Sequence, residues 1–509
     1  MSQLPGKGVS LWMDTTSDLG APSLSGDQRA DVVIVGAGIT GLTAAALLGA
    51  EGVGVVVLEA GTVGGGVTGH TTAKVTALHG LVYDELRSKF GPQGARVYAE
   101  ANRAALERIA AFVADEKIEC GWRRRTAYTY VRSSARRPQI EDEVSAAREA
   151  GLPTRLVAKT PLPFPVAAAV ALDDQAELHA RAYLLGLAGL VQRNGGQIFE
   201  HSPVLGASWR GRPSVRTAEG SVQAGHVVVA TLMPMLDRGL FFSRLTAKRS
   251  YCLSMTVRGT PPEGMFISAE EPTRSVRSQA PVPGGPDEEL LIVGGEGHTT
   301  GEETATGERY RRLEHFAREH FDVRRITHRW SAHDLMPADG LPYVGPITPL
   351  GSRILTAAGY RKWGLTNGTA AAMILTDRIL GRENPWAARL DSNRLTPRRS
   401  ARGVAAEVAK DARHLIGDRF KRSGTVEDLA PGQGGLVRIE GKLAAAYREP
   451  GGRLHAVSCV CTHLGCRVAF NEAERSWDCP CHGSRFAVDG TVLQGPAVQP
   501  LAQRLPSDA

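Results

Sequence analysis

The chain has 509 residues, of which 60 are Lys or Arg and 53 Asp or Glu, giving a formal charge of +7 at neutral pH. That length predicts two to four domain-sized units with ample core. No apolar run of about 18 residues occurs, and Met1–Gly20 has neither a basic leader nor an apolar stretch, which argues against a membrane-spanning helix and predicts a cytoplasmic protein.

In chain order, the first readable element is Asp31–Val35, a buried strand by its run of valine and isoleucine. Gly36-Ala37-Gly38-Ile39-Thr40-Gly41 follows at once and opens an Ala/Leu-rich helix running to about Gly52. A second apolar run, Val53–Leu58, ends in Glu59, 18 positions past the third glycine. Strand, GxGxxG, helix, strand and acid in this order predict a dinucleotide site. The glycines allow a tight turn and close approach of a pyrophosphate, whose charge rests on the helix N-terminus, and Glu59 would hold the ribose hydroxyls.

Further along come the loop Gly64–Lys74, the pair Gln175-Ala176 with a helix near Leu178, and the strand and turn His226–Thr231. Asp339–Gly345 and Ala358–Gly368 then precede an Ala-rich helix. Over about residues 28–385 these segments resemble the D-amino-acid oxidase (DAO) superfamily, which includes glycine and sarcosine oxidases and dimethylglycine dehydrogenase. The resemblance implies an α/β two-domain flavoprotein: a Rossmann-like FAD domain plus a mixed-sheet substrate domain. It implies FAD contacts from Gly36, Gly38, Ile39, Thr40, Gly41, Glu59, Thr71, Thr72, Val204, Ala230, Gly359, Gly364, Leu365 and Thr366. Gly364, Leu365 and Thr366 would open a helix whose amides face the flavin N1/C2=O edge and stabilise the charge that forms there on reduction. Lys362 matches a position near the flavin ring in some relatives, where it would meet substrate carboxylate or oxygen; a surface lysine is the other reading. His70 stands where dimethylglycine and sarcosine dehydrogenases attach flavin covalently, whereas other relatives hold FAD without a bond, and both readings stay open.

Two features are set aside. Leu291–Gly301 looks like a second nucleotide loop, but no strand ending in an acid follows it, so it is assigned to the substrate sheet. His328 and His333 lack the carboxylate that would complete a 2-His-1-carboxylate iron site.

From Arg394 to Arg422, nine basic residues face only Glu407, Asp411 and Asp418, and apolar residues recur at helical spacing. Residues 391–423 are therefore expected to form a basic amphipathic linker helix that packs along the larger domain, with contact to an acidic partner or membrane surface as the lesser alternative. No aromatic-rich basic face accompanies it, so nucleic acid is not an expected partner.

Five of the seven cysteines fall between Cys459 and Cys481, which points to a bound metal group; Cys120 and Cys252 read as ordinary buried thiols. Cys461-x-His463 and Cys479-x2-His482 supply two thiolates and two imidazoles, a set that suits tetrahedral zinc as well as an iron–sulfur cluster. With Gly465, Pro480 and Gly495-Pro496, the segment resembles a Rieske [2Fe-2S] domain of the disulfide-bearing cytochrome bc1 kind. The resemblance implies that Cys461 and Cys479 hold one iron and His463 and His482 the other. It also implies a Cys466–Cys481 bridge and a Ser484 hydroxyl directed at a sulfide. Phe486 stands where high-potential members have tyrosine. Residues 467–478 read as a hairpin between the two loops.

The whole chain resembles bacterial DAO-type FAD oxidoreductases with a C-terminal all-β Rieske domain. The expected layout is an FAD oxidoreductase domain at 1–390, the linker at 391–423 and the Rieske domain at 424–509. The expected activity is oxidation of a small amine or amino acid, with electrons passing from FAD to the cluster and on to an unidentified external acceptor. A reductase relaying electrons to a partner protein is the alternative.

Overall fold

The computed structural model describes residues 4–209, 211–236, 239–281, 285–351, 353–394, 396, 405, 407, 409–410 and 424–504. A sheet of eight described strands carries the nucleotide motif. Its spine runs Tyr343–Pro346, Ile354–Ala358, Gly220–Val229, Gly26–Val35, Val55–Leu58, Gln197–Phe199. The four central pairings are parallel, with Val32–Val35 in register between His226–Val229 and Val55–Leu58. Valines and isoleucines dominate here because both faces are covered, Val32, Ile34, Val55 and Val57 by the helices and Val33, Val35, Val56 and Leu58 by strands and loops that include Val204, Val215 and Leu245. Each fully buried aliphatic side chain contributes roughly 1.5–3 kcal/mol. The helices Ile39–Ala50 and Gly364–Ile379 cross closely where Gly368 lies against Ile39 and Thr40.

A second sheet of nine strands holds Leu290–Thr299, so the glycine-rich segment at 291–301 belongs to it, as the sequence predicts. Its longest pair joins Leu245–Val257 antiparallel to Val323–Pro337 and sets Arg249 opposite His333. The ends of this pair, Leu245, Ala247 and Leu335, pack with the nucleotide sheet's core.

The C-terminal region contains a three-stranded sheet, Gly434–Ile439, Lys442–Arg448 and Leu454–Ser458, and a four-stranded one, Ala469–Asn471, Ser476–Asp478, Arg485–Ala487 and Val492–Gln494. The predicted hairpin is present as Ala469–Asn471 against Ser476–Asp478. Tyr447, Phe470, Trp477 and Phe486 form one buried cluster with Cys459, Cys461, Cys466, Cys479 and Cys481.

This region docks on the nine-stranded sheet through a polar, largely buried interface. Thr306 Oγ1 donates to Asn471 Oδ1 (2.7 Å) and accepts from Ala473 N (3.1 Å). Arg249, 1% exposed, lies 3.6 Å from Glu474 and 3.8 Å from Asp478, and Arg485 donates to both carboxylates. Burial opposes the charge on Asp478, but Arg485 and Arg249 hold it well below the usual carboxylate range.

The linker expected at 391–423 lies largely outside the described residues. Of those described, Glu407 accepts from Thr246 Oγ1 (2.7 Å), and Lys410 Nζ donates to Cys481 O (3.5 Å). No helix among the described residues is long and apolar enough to cross a membrane.

Candidate functional site

The three motif glycines have separate physical reasons. Gly36 has φ +106°, and a Cβ there would stand 2.6 Å from Ala230 O. At Gly41 a Cβ would meet Gly36 O at 1.9 Å, so helix and strand can pack only on hydrogen. Gly38 meets nothing nearer than Thr68 Oγ1 at 3.4 Å and leaves the helix start open. Glu59 is fixed at the tip of its strand by Ala37 N (2.7 Å) and Gly61 N (3.0 Å).

A cavity of about 940 Å³ extends from these residues. It collects Gly36, Gly38, Ile39, Thr40, Glu59, Thr71, Thr72, Val204, Ala230, Lys362, Gly364 and Leu365 from opposite ends of the chain. The helix at Gly364 begins without a side-chain cap, which leaves its first amides directed at the cavity. Arg361 (φ +52°) and Lys362 (φ +72°) precede it in the left-handed region, an uncommon pair for non-glycine residues. Arg361 is held there by Glu85 Oε2 (2.6 Å) and Gly340 O (3.1 Å), and Lys362 lines the cavity. Burial pushes the Lys362 ammonium below its ordinary pKa, and burial raises Asp334 nearby to about 7.

Four expected residues do not line this cavity. Gly41 is consumed by helix packing. Gly359 (φ +81°) turns the chain against Leu245 and Pro337. Thr366 Oγ1 donates to Thr76 O (3.0 Å), tying its helix to the strand Lys74–Val75. His70 Nδ1 pairs with Gly66 O (2.8 Å), so its ring turns back on its own loop.

Several cavity residues carry no sequence motif. Lys74, 7% exposed, donates to Phe266 O (2.5 Å) and Ser275 Oγ (2.6 Å), and burial lowers its pKa to about 7. Cys252 lines the same wall, its thiol raised to about 12 by burial, whereas Cys120 is an ordinary buried thiol. A lysine between Ala73 and Val75 was the only available signal. The loop at 64–72 is pinned through four consecutive carbonyls: Gly69 O accepts from Ser10, His70 O from Trp330, Thr71 O from Trp12 and Thr72 O from Arg277. Ser10 and Trp12 belong to the N-terminal segment, which the sequence left without a role.

At the other site, the two Cys/His loops have the same backbone. Cys461 N donates to Cys466 O (2.8 Å) and Gly465 N to Cys461 O (3.1 Å); Cys479 N donates to Ser484 O (2.8 Å) and Gly483 N to Cys479 O (3.1 Å). Gly465 and Gly483 take positive φ at matching places. The loops face each other across a Cys466–Cys481 disulfide with a Cα–Cα separation of 6.5 Å. Cys461 and Cys479 lie within hydrogen-bonding reach, an interaction that lowers the Cys461 thiol to about 7, and the rings of His463 and His482 are 5.0 Å apart. Two thiols and two imidazoles thus converge, a donor set that fits a mixed-ligand [2Fe-2S] cluster. The histidines differ in surroundings. His482 is 2% exposed and packs on Phe242, whereas His463 is half-buried beside exposed Val460 and Leu464.

A parallel nucleotide sheet with this glycine turn, joined to a mixed sheet and a head of paired Cys/His loops, defines a flavoprotein with an iron–sulfur domain. A family model described as FAD dependent oxidoreductase (DAO) matches residues 31–378, and one described as Rieske [2Fe-2S] domain matches 420–505. The chain belongs to the DAO family of FAD-dependent oxidoreductases and carries a Rieske domain; FAD and a [2Fe-2S] cluster are the cofactors of these two parts. It is 36% identical over 495 residues to YhfW of Bacillus subtilis (strain 168), a protein named as a Rieske 2Fe-2S iron-sulfur protein, covering 97% of this chain and 96% of that one. The cytochrome b6-f complex iron-sulfur subunit of Pisum sativum is 38% identical over 111 residues, 21% of this chain and 47% of its own. Glycine oxidase from Geobacillus kaustophilus superposes with TM-score 0.62 at 16% identity over 72% of this chain and 99% of its own. L-proline dehydrogenase from P. horikoshii does so with TM-score 0.59 at 18% identity, over 72% and 98%. Those two likenesses show the fold.

Proposed function

We propose that the protein is a dehydrogenase of small amines or amino acids that sends electrons from FAD to the Rieske cluster and on to an external one-electron acceptor. One observation carries this reading: the cavity that collects the nucleotide residues is also walled by Thr491–Ala497 of the Rieske region. The flavin site and the cluster-bearing head therefore share a boundary within one chain. FAD supplies a two-electron acceptor that can release electrons singly, and the cluster supplies a one-electron carrier.

The assigned ligands are Cys461 and Cys479 for one iron and His463 and His482 for the other. Motif amides of the Ile39–Ala50 helix would hold the pyrophosphate, Glu59 the ribose, and the Gly364 and Leu365 amides the flavin edge. Lys362 on the cavity wall and buried Lys74, whose pKa lies at about 7, give the remaining space two amines whose charged forms a substrate carboxylate would favour. Oxidation breaks the substrate C–H bond as hydride departs and releases the N–H proton, leaving an imine.

Anaerobic titration with a panel of amines and amino acids, followed by flavin absorbance and the cluster EPR signal, tests the proposal. The expected result is bleaching of the flavin by at least one of them, followed by the reduced-cluster signal. Flavin reduction by NADPH alone, with every amine inert, would overturn it in favour of a reductase.

A further inference from the structure

His333 was set aside in the sequence because no carboxylate completes an iron site around it, yet it occupies the boundary between the two cofactor sites. Its strand, Val323–Pro337, places Ala332, His333 and Asp334 along the cavity wall. On its other side the imidazole covers Gly483, the residue after His482. A Cβ built on Gly483 would lie 2.0 Å from His333 Cε1 and 2.7 Å from Nε2, so only glycine lets the loop approach the ring this closely. His333 is 3% exposed, and its Nδ1 has no hydrogen-bond partner among the described residues. A buried ring nitrogen left unsatisfied costs roughly 1–3 kcal/mol. Phe242 packs on His482, Ala247 lies beside Gly483, Gly301 lies against Pro480 and Lys410 donates to Cys481 O, and of the residues that touch the loop at His482–Gly483, His333 is the one that also walls the cavity.

We propose that His333 is the bridge between the cofactors: its Nδ1 hydrogen-bonds the bound flavin, while its Cε1/Nε2 edge contacts the His482–Gly483 loop and forms the route by which electrons reach the cluster. The cluster is thus filled from its His482 side. Each transfer takes one electron from reduced flavin and converts the diferric cluster to its ferrous–ferric form. The second electron follows after an external one-electron oxidant, ferricyanide in the assay, has emptied the cluster, and the proton left on the flavin passes to solvent. The inference rests on the flavin-to-cluster transfer proposed above; His333 is a positioning residue in it, distinct from the iron ligands.

The test uses the full-length protein loaded with FAD and iron, with the flavin reduced photochemically so that no substrate is needed. His333→Phe keeps the ring's bulk and removes the nitrogen; His333→Gln keeps a nitrogen donor. Expected for His333→Phe are unchanged iron and flavin content, a shifted flavin absorbance band, and cluster reduction slowed about 10–100-fold in freeze-quench EPR. His333→Gln should recover part of both the band position and the rate. Wild-type rate and wild-type flavin spectrum in a loaded His333→Phe protein overturn the inference while leaving the proposed function standing. If the wild type itself shows no cluster reduction after flavin reduction, the proposed function falls first. Should His333→Phe fail to load, the ring ¹⁵N resonances of the wild type decide: they shift when FAD is added to apoprotein, and an unmoved His333 signal overturns the bridge.

Discussion

The flavin half and the Rieske half build their sites by opposite means. Residues lining the flavin cavity range from Met13 to Pro500 and stand on both large sheets and on the Rieske region, so every wall depends on long-range packing. The four assigned iron ligands fall within 461–482, on two loops whose local bonds are identical and which a disulfide clips together. A dispersed site tolerates loss of one contact, because others hold the ligand; a local four-ligand site does not. The contact between halves belongs to neither type, being a buried polar seam of Arg249, Glu474, Asp478 and Arg485.

The largest expected effect comes from breaking the local site. Cys479→Ser or His463→Cys should abolish the reduced Rieske EPR signal and strip the iron, while flavin absorbance remains; iron analysis beside flavin extraction reads both. Loss of FAD together with iron would show that the two sites are not separable in the way this comparison holds.

Breaking the seam should come next. Arg249→Met leaves Glu474 and Asp478 facing Arg485 alone, at a cost of about 3–5 kcal/mol for opening a buried ion pair, measured by urea unfolding. Asp478 is depressed in the folded state, so its contribution is present above its ordinary value of 3.8 and is lost as pH falls through the folded-state value. The stability gap between wild type and Asp478→Asn should therefore shrink in acid, and a gap that is constant down to the acid limit would refute the ion-pair account.

Lys74 sharpens the comparison on the flavin side. Its folded pKa of about 7 lies below the ordinary 10.5, so between these values the unfolded chain binds more protons and stability rises with pH, by a few kcal/mol at most. Lys74→Met should flatten that rise in apoprotein denaturation curves between pH 7 and 10.5; an unchanged slope would place the burial penalty elsewhere. The same variant should weaken carboxylate-bearing substrates more than neutral amines.

Phe486→Tyr is the smallest change. Phe486 is fully buried in the cluster-loop core beside Trp477. A phenol reaching a cluster thiolate stabilises the reduced state, and a hydrogen bond of about 1 kcal/mol corresponds to roughly 40 mV for one electron. Voltammetry of the whole protein should show the midpoint rising by that order; a fall would mean that the ring at 486 points away from the cluster.

Legibility in the sequence followed the same division. The nucleotide turn, the hairpin between the Cys/His loops and the helix at Gly364 could be read directly, since spacing of a few residues dictates each of them: glycine where a carbonyl crowds the Cα, alternating apolar residues where strands pair, an uncapped helix start after a turn. Gly359 and Thr366 were read as flavin contacts because they sit in the right motif, but neither lines the cavity: Gly359 turns the chain against Pro337, and the Thr366 hydroxyl is bound to Thr76 O. Position in a motif does not say which way a residue faces.

What the sequence determined by itself was therefore the kind of each site and the order of the parts, because a GxGxxG turn and two paired Cys/His loops owe their geometry to local steric and hydrogen-bonding rules. Tertiary structure alone decided that the parts face one another. The carbonyl pins on the flavin loop come from Ser10, Trp12, Arg277 and Trp330, and Lys74 finds its partners near positions 266 and 275. His333 meets Gly483 across the same interface in which Arg249, its partner across the strands, lies against the hairpin carboxylates. Such contacts join residues hundreds of positions apart through shared burial, and burial is a property of the packed sheets that no local run of residues carries.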